Sequence, residues 1–284
     1  MDKALNGQGS DAEADSAGAL TKAGSEHRLL TLVEAEIIPR LMLAHRDPRG
    51  DAAEAAAILS EDVVDFSRAL LKQEMARATD LIEQLCARGA SMEEIYLGLF
   101  TPAARYLGEL WEADLCNFSE VTLCLWRMQT LMYDLCPAFH GGQPAAGERQ
   151  GAERRILMAT LPGQQHTFGL SMLSEFFRRE GWVVLAIPSP QSREVQDTLS
   201  LHWFDVLALS ASMDKELDAL SKTIKAARKT SRNPQLAVIV GGPLFLRQPG
   251  LAEAVGADGM AEDAPGALAL ASRLFQRQHD VRLN

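Results

Sequence analysis

Long apolar runs are missing from this sequence, and their absence excludes membrane proteins of the helical type. No stretch approaches the roughly eighteen uninterrupted apolar residues of a membrane span. The first 26 residues are polar and acidic, and they lack the apolar core of a signal peptide. We therefore expect a globular cytoplasmic protein that has no membrane partner.

Basic charge is also scarce. The chain carries 28 Lys and Arg against 38 Asp and Glu, which gives a formal net charge of −10. A surface of this sign repels nucleic acid phosphates and argues against direct, charge-driven binding of DNA or RNA. Any control of genes by this protein is expected to pass through a protein partner.

Cysteines are few, and the recognisable catalytic motifs are missing. None of the four cysteines has the C-x-x-C spacing, and no paired histidines follow, so neither a zinc site nor a disulfide framework is indicated. Buried thiols are the simplest interpretation, and Cys116, in a predicted loop between helices, is the candidate for a redox-responsive thiol. There is no nucleophile elbow, phosphate-binding glycine loop or acid–base carboxylate pair, which predicts a protein that is not an enzyme.

Composition divides the chain into four parts. Residues 1–25 are rich in Gly, Ala, Ser and Asp and are predicted to be disordered. Residues 26–140 show helical periodicity and predict a bundle of four or five helices, with a start at Ser91 and a stop at Pro137. Residues 141–152 have the composition of a flexible linker, and residues 153–284 form the remaining domain.

The second half alternates short apolar runs with amphipathic segments. The predicted strands are 154–161, 182–187, 205–210, 236–240 and around 256–260. Five such βα units predict an α/β domain with a Rossmann-like, doubly wound, parallel five-stranded sheet that follows the helical bundle.

Three polar or small-residue signals each close one of these strands. The first contains His166, the second is Ser210-Ala211-Ser212, and the third is Gly241-Gly242. Open parallel sheets bind ligands at the carboxyl ends of their strands, so we expect the three signals to meet at one edge. A single histidine that faces small residues suggests an axial metal ligand beside a slot for a long, flat cofactor.

The order and spacing of these signals resemble the cobalamin-binding domain, whose pattern is Asp-x-His-x-x-Gly, then Ser-x-Ser or Ser-x-Thr, then Gly-Gly. Here His166 and Gly169 are followed after a gap of 40 residues (170 to 209) by Ser210 and Ser212. A further gap of 28 residues (213 to 240) leads to Gly-Gly. The resemblance implies that His166 is the lower ligand of cobalt in a bound cobalamin.

The resemblance also assigns roles to the other residues of the pattern. Ser210 and Ser212 would hydrogen-bond the nucleotide tail of the cofactor, and Gly241 and Gly242 would let the tail lie against the backbone. Gln164 stands where the family has the aspartate that polarises the histidine, so the bond from the histidine to cobalt should be weaker.

The helical half resembles the cap bundle that precedes cobalamin domains. Its Leu-Gly-Glu-Leu-aromatic motif ends at Trp111, where cobalamin photoreceptors have a tryptophan over the upper face of the corrin. The alternative is a core tryptophan that anchors helix packing. Photoreceptors of the CarH type have a histidine and a Glu-His pair where this chain has Glu112 and Val121-Thr122, so their adenosyl-ligand chemistry is not supported.

A cap and a cobalamin domain without DNA-binding equipment resemble the AerR/PpaA group of purple photosynthetic bacteria. The resemblance implies a light- and redox-responsive antirepressor that binds a repressor of the PpsR/CrtJ type and so controls photosynthesis genes. The resemblance does not decide between the hydroxo and adenosyl forms of cobalamin. It also leaves open whether His140, His27 or His45 supplies an upper ligand of the cobalt. The alternatives are a corrinoid methyl carrier of a methyltransferase system, a mutase subunit, and a sensor that uses haem in the same pocket.

Overall fold

The computed structural model describes residues 58–141, 153–164 and 167–283. The predicted disordered segment 1–25, the helical pattern up to residue 57 and the linker residues 142–152 lie outside the described residues. The chain divides into two compact units, with the division between Met128 and Gln129. This division of the chain falls inside the last helix of the predicted bundle.

The first unit is helical, as predicted. It contains α1 (Ser60–Leu71), α2 (Met75–Ala87), α3 (Met92–Glu94), a π-helix (Ile95–Phe100), α4 (Thr101–Glu112) and the start of α5 (Phe118–Phe139). The chain turns between α2 and α3 at Gly89, whose φ is 102°. Ser91 and Glu94 then form a reciprocal capping box at the start of α3, and these hydrogen bonds from Ser91 lower the pKa of the Glu94 carboxyl.

The π-helix has a local cause in Pro102. Helical segments run without interruption from Met92 to Glu112, and Pro102 lies inside them without an N–H to donate to the preceding turn. The turn before it widens, so that the N–H of Thr101 donates to the carbonyl of Tyr96, five residues earlier. The sequence predicted a helix start at Ser91 and did not predict the wide turn.

The predicted stop at Pro137 is wrong, because α5 continues to Phe139. A proline near the end of a helix removes only one of the last hydrogen bonds, and tertiary packing compensates for that loss. The ring of Phe139 is buried and packs edge-on against Phe176, with 4.9 Å between the ring centroids.

The second unit contains the end of α5 and a five-stranded, all-parallel sheet, as predicted. The strands are β1 (Arg155–Thr160), β2 (Val183–Ile187), β3 (Val206–Ser210), β4 (Ala237–Gly241) and β5 (Gly259–Ala261), in the order β2-β1-β3-β4-β5. The connecting helices are α6 (Phe168–Arg179), α7 (Glu194–Leu201), α8 (Leu217–Thr230), α9 (Pro243–Arg247) and α10 (Leu251–Ala254), and α11 (Ala264–Leu283) follows β5.

Each face of the sheet has its own apolar core, because successive strand residues point to opposite faces. Leu157 and Ala159 of β1 pack with side chains of α7, α8, α9 and α10. Ile156 and Met158 pack with side chains of α6 and α11 on the other face. Burial on both faces explains why the central strands are almost continuously apolar in sequence. Within the described part of the chain, no helix is long and apolar enough to cross a membrane.

Candidate functional site at the carboxyl edge of the sheet

The last residues of three neighbouring strands form one row across the sheet. Thr160 of β1 pairs in register with Ser210 of β3, and Ser210 pairs with Gly241 of β4. The serine and glycine signals therefore meet at one edge, as the sequence predicted. The strand order reverses between β1 and β3, and ligands of doubly wound sheets bind at the carboxyl ends of such a switch point.

Gly242 occupies a backbone conformation that requires glycine. Its φ is 99° and its ψ is 174°, a combination that essentially only glycine adopts. A Cβ at this position would lie 2.6 Å from the carbonyl oxygen of Ala211 and 2.8 Å from Oγ of Ser210. The close approach of the loops after β3 and β4 is a sufficient reason for this glycine, whatever the edge binds.

Gly241 is confined by the neighbouring strand. A Cβ on Gly241 would lie 3.3 Å from the carbonyl oxygen of Ala261 in β5, which is closer than most side chains are packed. The glycine pair thus keeps the ends of β3, β4 and β5 close together and leaves a backbone surface without side chains at the edge.

The hydroxyls of Ser210 and Ser212 are the polar groups of this edge that remain available to a ligand. Both residues are half-buried, and neither hydroxyl has a hydrogen-bond partner within the part of the chain that the structure describes. Thr160, in the same row, differs because its Oγ1 accepts from the N–H of Ser189 at 2.9 Å. Two unpaired hydroxyls beside a bare glycine backbone fit a long polar chain that lies along the edge.

A buried carboxylate, Glu216, connects the loops that follow β1 and β3. It lies in a short 3-10 turn, Asp214–Glu216, and only 6% of the residue is exposed. One of its oxygens, Oε2, accepts from the backbone N–H of Ser212 at 2.9 Å, and Oε1 accepts from the side-chain amide of Gln164. Sequence reasoning missed Glu216, because the residue lies 52 positions from Gln164.

Gln164 is oriented by this contact. A carboxylate only accepts hydrogen bonds, so the NH₂ of the Gln164 amide faces Glu216, and the acceptor of that amide is its carbonyl oxygen. The backbone N–H of Gln164 donates to the carbonyl of Leu161 at 3.2 Å, which tightens the turn after β1. His166, the predicted metal ligand, lies outside the described residues, between this turn and the start of α6.

Gly169 differs from the glycine pair. It lies in the first turn of α6, and an added Cβ would meet no atom within 4 Å. The described part of the chain therefore gives no steric reason for glycine here, whereas a ligand that approaches the start of α6 would give one.

In the helical unit, Trp111 is not a core residue. It ends the predicted motif near the end of α4, has 47% of its surface exposed, and contacts Phe118 edge-on with a centroid distance of 6.4 Å. Trp126 and Leu123 of α5 are also exposed, at 64% and 48%. The end of α4 and the first half of α5 thus carry an exposed apolar patch, defined here as Trp111, Phe118, Leu123 and Trp126.

Cys116 lies between α4 and α5, as predicted, but its surroundings do not activate it. Burial, together with the negative charge of Glu120 and the thiol of Cys124, raises the pKa of Cys116 to about 11. Burial also raises the pKa of Cys124 and of Cys86. These thiols remain protonated at neutral pH, whereas redox-reactive cysteines have lowered pKa values.

Two family models match the chain. Residues 154–269 match a model described as a B12 binding domain, and residues 64–135 match a second model with the same description. The first match spans the five strands and the whole edge described above, and the second spans most of the helical unit.

A relative and a solved structure extend the comparison. The chain is 24% identical, over 183 residues, to a protein of Rhodobacter capsulatus described as an uncharacterized 20.5 kDa protein in the bchF-crtJ intergenic region; the match covers 64% of this chain and 93% of the relative. The fold is similar to that of the monomethylamine corrinoid protein of Methanosarcina barkeri, with a TM-score of 0.60 at 18% identity, over 74% of this chain and 97% of that one.

Proposed function

The chain belongs to the cobalamin-binding proteins, and from this premise we propose that it is a light- or redox-responsive antirepressor that binds a repressor of the PpsR/CrtJ type and controls photosynthesis genes. The observation that carries the proposal is its similarity, over 93% of the relative, to the Rhodobacter capsulatus protein from the bchF-crtJ region. The proposed role is regulatory and not enzymatic.

The residues of the sheet edge fit the nucleotide tail of cobalamin. Ser210 and Ser212 offer hydroxyls without partners in the described chain, and the glycine backbone beside them presents no side chain. His166 would hold cobalt from below, as the resemblance implies. Bound cobalamin would supply a cobalt centre whose ligands change with light or redox state. Its form, hydroxo or adenosyl, is left to experiment, and haem is the less favoured cofactor.

The contact with Glu216 provides a physical reason for a glutamine, Gln164, at the position where the family has an aspartate. The amide NH₂ of Gln164 donates to the buried Glu216 carboxylate, and the carbonyl oxygen is the only acceptor of this amide, so a hydrogen bond from the second ring N–H of His166 would go to that oxygen. Hydrogen bonds in series polarise one another. In that arrangement the carboxylate would act on the histidine through one amide, and the effect would be weaker than direct contact with a carboxylate.

The exposed apolar patch of the helical unit is the proposed site of the response. Its members lie at the end of α4 and on α5, and each exposes about half of its surface or more. A change at such a patch alters what the cap presents to a partner. Partner contact is also consistent with the net charge of −10, which disfavours direct contact with nucleic acid.

The proposal is tested with a repressor of the CrtJ type bound to a fluorescent promoter fragment. The chain, loaded with hydroxocobalamin in the dark, is added with and without illumination, and release of DNA is followed by anisotropy. We expect release that depends on cobalamin and on light, is weakened by Trp111→Ala and is unaffected by Leu201→Ala, an apolar residue of the sheet unit that is 65% exposed against 47% for Trp111. Equal release by the cobalamin-free chain contradicts the proposal.

The alternative function is that of a corrinoid methyl carrier. The monomethylamine corrinoid protein has a fold similar to that of this chain, at 18% sequence identity. Such carriers keep an aspartate beside the histidine, and Gln164 disfavours this function. In such a carrier the cobalt would cycle between a reduced form and a form that carries a methyl group. Methyl transfer in a coupled assay, together with no effect on the repressor, would favour the carrier.

A further inference from the structure

Three side chains with metal-binding atoms converge where α5 packs on α6, in the second unit. Cys136 and His140 are four residues apart, so they share one face at the end of α5. The N–H of His140 still donates to the carbonyl of Cys136 at 2.9 Å, which continues the helical turn past Phe139. Glu175 faces them from α6, and the thiol, imidazole and carboxylate atoms lie within 4.8 Å of one another.

Glu175 is the centre of this cluster. Only 5% of its side chain is exposed, and its two oxygens have separate roles. Oε1 pairs with the guanidinium of Arg178, one turn further along α6. Oε2 lies 3.3 Å from Sγ of Cys136 and 3.1 Å from Nε2 of His140. The carboxylate is therefore held by Arg178 through Oε1, and its Oε2 faces both Cys136 and His140.

The contact between His140 and Glu175 is close but badly directed for a hydrogen bond. Nε2 is shielded from solvent and makes no hydrogen bond to the described part of the chain, although it lies 3.1 Å from Oε2. A buried ring nitrogen without a hydrogen bond destabilises the folded chain. A cation between these atoms would satisfy the nitrogen and the carboxylate together.

We propose that Cys136, His140 and Glu175 bind one zinc ion, with the fourth position open to water or to an exogenous ligand. Tetrahedral zinc with bonds of ordinary length separates its ligand atoms by about 3.3–3.8 Å. The two distances at Oε2 are 3.1 and 3.3 Å, and Sγ and Nε2 lie within 4.8 Å of each other, so small shifts of these side chains would create the site. Binding replaces the Cys136 thiol proton, which is released to solvent as the zinc–sulfur bond forms.

This zinc site is separate from the edge that holds the cofactor residues. Glu175 follows the first residue of α6, Phe168, by seven positions, which places it about 10 Å along the helix axis. Arg179, in the last turn of α6, stacks over Phe139 with 4.5 Å from its guanidinium carbon to the ring centroid. The contact stabilises the packing of the two helices beside the ligands and does not depend on cobalamin.

The test uses the full chain, free of cobalamin and of any histidine tag, because a tag binds zinc itself. Zinc is titrated in competition with a chromophoric chelator, and bound metal is counted by mass spectrometry. We expect one zinc per chain. Affinity should fall at least tenfold in Cys136→Ser and in His140→Ala, and it should be unchanged in Cys86→Ser and in His202→Ala, which lie outside the cluster.

A second measurement on the unmutated chain keeps the test independent of variant folding. Cobalt(II) in place of zinc should give a thiolate-to-metal charge-transfer band, and zinc should protect Cys136, but not Cys86, from alkylation. Absence of both effects, or zinc binding that Cys136→Ser and His140→Ala leave intact while the variants remain folded, overturns the proposal.

Discussion

Replacing Gly242 by alanine should destabilise the sheet unit, although the substitution removes no side-chain contact. The backbone there, with φ 99° and ψ 174°, lies in a region where a residue with a Cβ costs about 1–3 kcal/mol. The new Cβ would also lie 2.6 Å from the carbonyl oxygen of Ala211, and such overpacking costs typically about 1–3 kcal/mol more. Because the chain shifts to share these costs, we expect a total loss of about 3 kcal/mol.

The assay is urea unfolding followed by circular dichroism, with a thermal melt as a second readout. A loss of about 3 kcal/mol corresponds to a fall in Tm of roughly 6–12 °C for a unit of this size. Gly250→Ala is the matched control, because the φ of Gly250 is −62° and an added Cβ meets nothing within 4 Å. A loss below about 1 kcal/mol in Gly242→Ala, or an equal loss in both variants, would refute the reasoning.

Three further predictions concern the cofactor edge and the helical unit. Gly169→Leu should leave the fold stable, because Gly169 is exposed and no described atom outside its own helix backbone lies within 4 Å of the new Cβ. The substitution should weaken cobalamin binding at least tenfold in an absorbance titration, and unchanged binding would place the ligand elsewhere. Glu216→Gln should lower the free energy of unfolding by about 1–3 kcal/mol, because it removes charge-assisted hydrogen bonds to Gln164 and to the backbone; an unchanged urea midpoint would count against this role. The pKa of Cys116, raised from 9.0 to about 11, predicts iodoacetamide alkylation whose rate still increases above pH 10. Since the folded chain keeps this proton longer than the unfolded chain, stability should decrease as pH rises from about 9 to 11; a rate plateau near pH 9 in residue-resolved mass spectrometry would contradict the shift.

The five strands could be predicted because both faces of the sheet are covered. Continuous apolar runs such as 156–159 admit few other structures when polar turns bound them, and the observed strand ends lie within a few residues of the predicted ones. The edge position of Ser210 and Gly241 followed from parallel topology alone, since strands that run the same way end at the same edge.

Features that depend on tertiary contacts could not be predicted in this way. Pro137 looked like a helix stop, yet packing of Phe139 on Phe176 carries α5 past it. In the sequence Glu216 cannot be distinguished from the other acidic residues, because only folding brings Gln164 into contact with it. Sequence spacing did not indicate the proposed zinc site for the same reason, because Cys136 and Glu175 are 39 positions apart and lie on different helices.

The glycine pair shows how a motif can have two sufficient causes. The sequence assigned Gly241 and Gly242 to the approach of a cofactor tail, whereas the structure shows that both are confined by the chain itself. Gly169 is the more informative position for ligand binding, because nothing in the described chain fills the space beside it.

The most direct test of the central claim is an absorption spectrum of the purified chain after mixing with hydroxocobalamin in the dark and gel filtration. His166→Ala is measured beside the unmodified chain, and His202→Ala serves as the matched histidine control. We predict that cobalamin co-elutes with the unmodified chain and with His202→Ala, with a corrin spectrum shifted from that of the free cofactor, and that His166→Ala loses the shift. The same spectrum and retention in His166→Ala would contradict the assignment of His166 as the lower ligand.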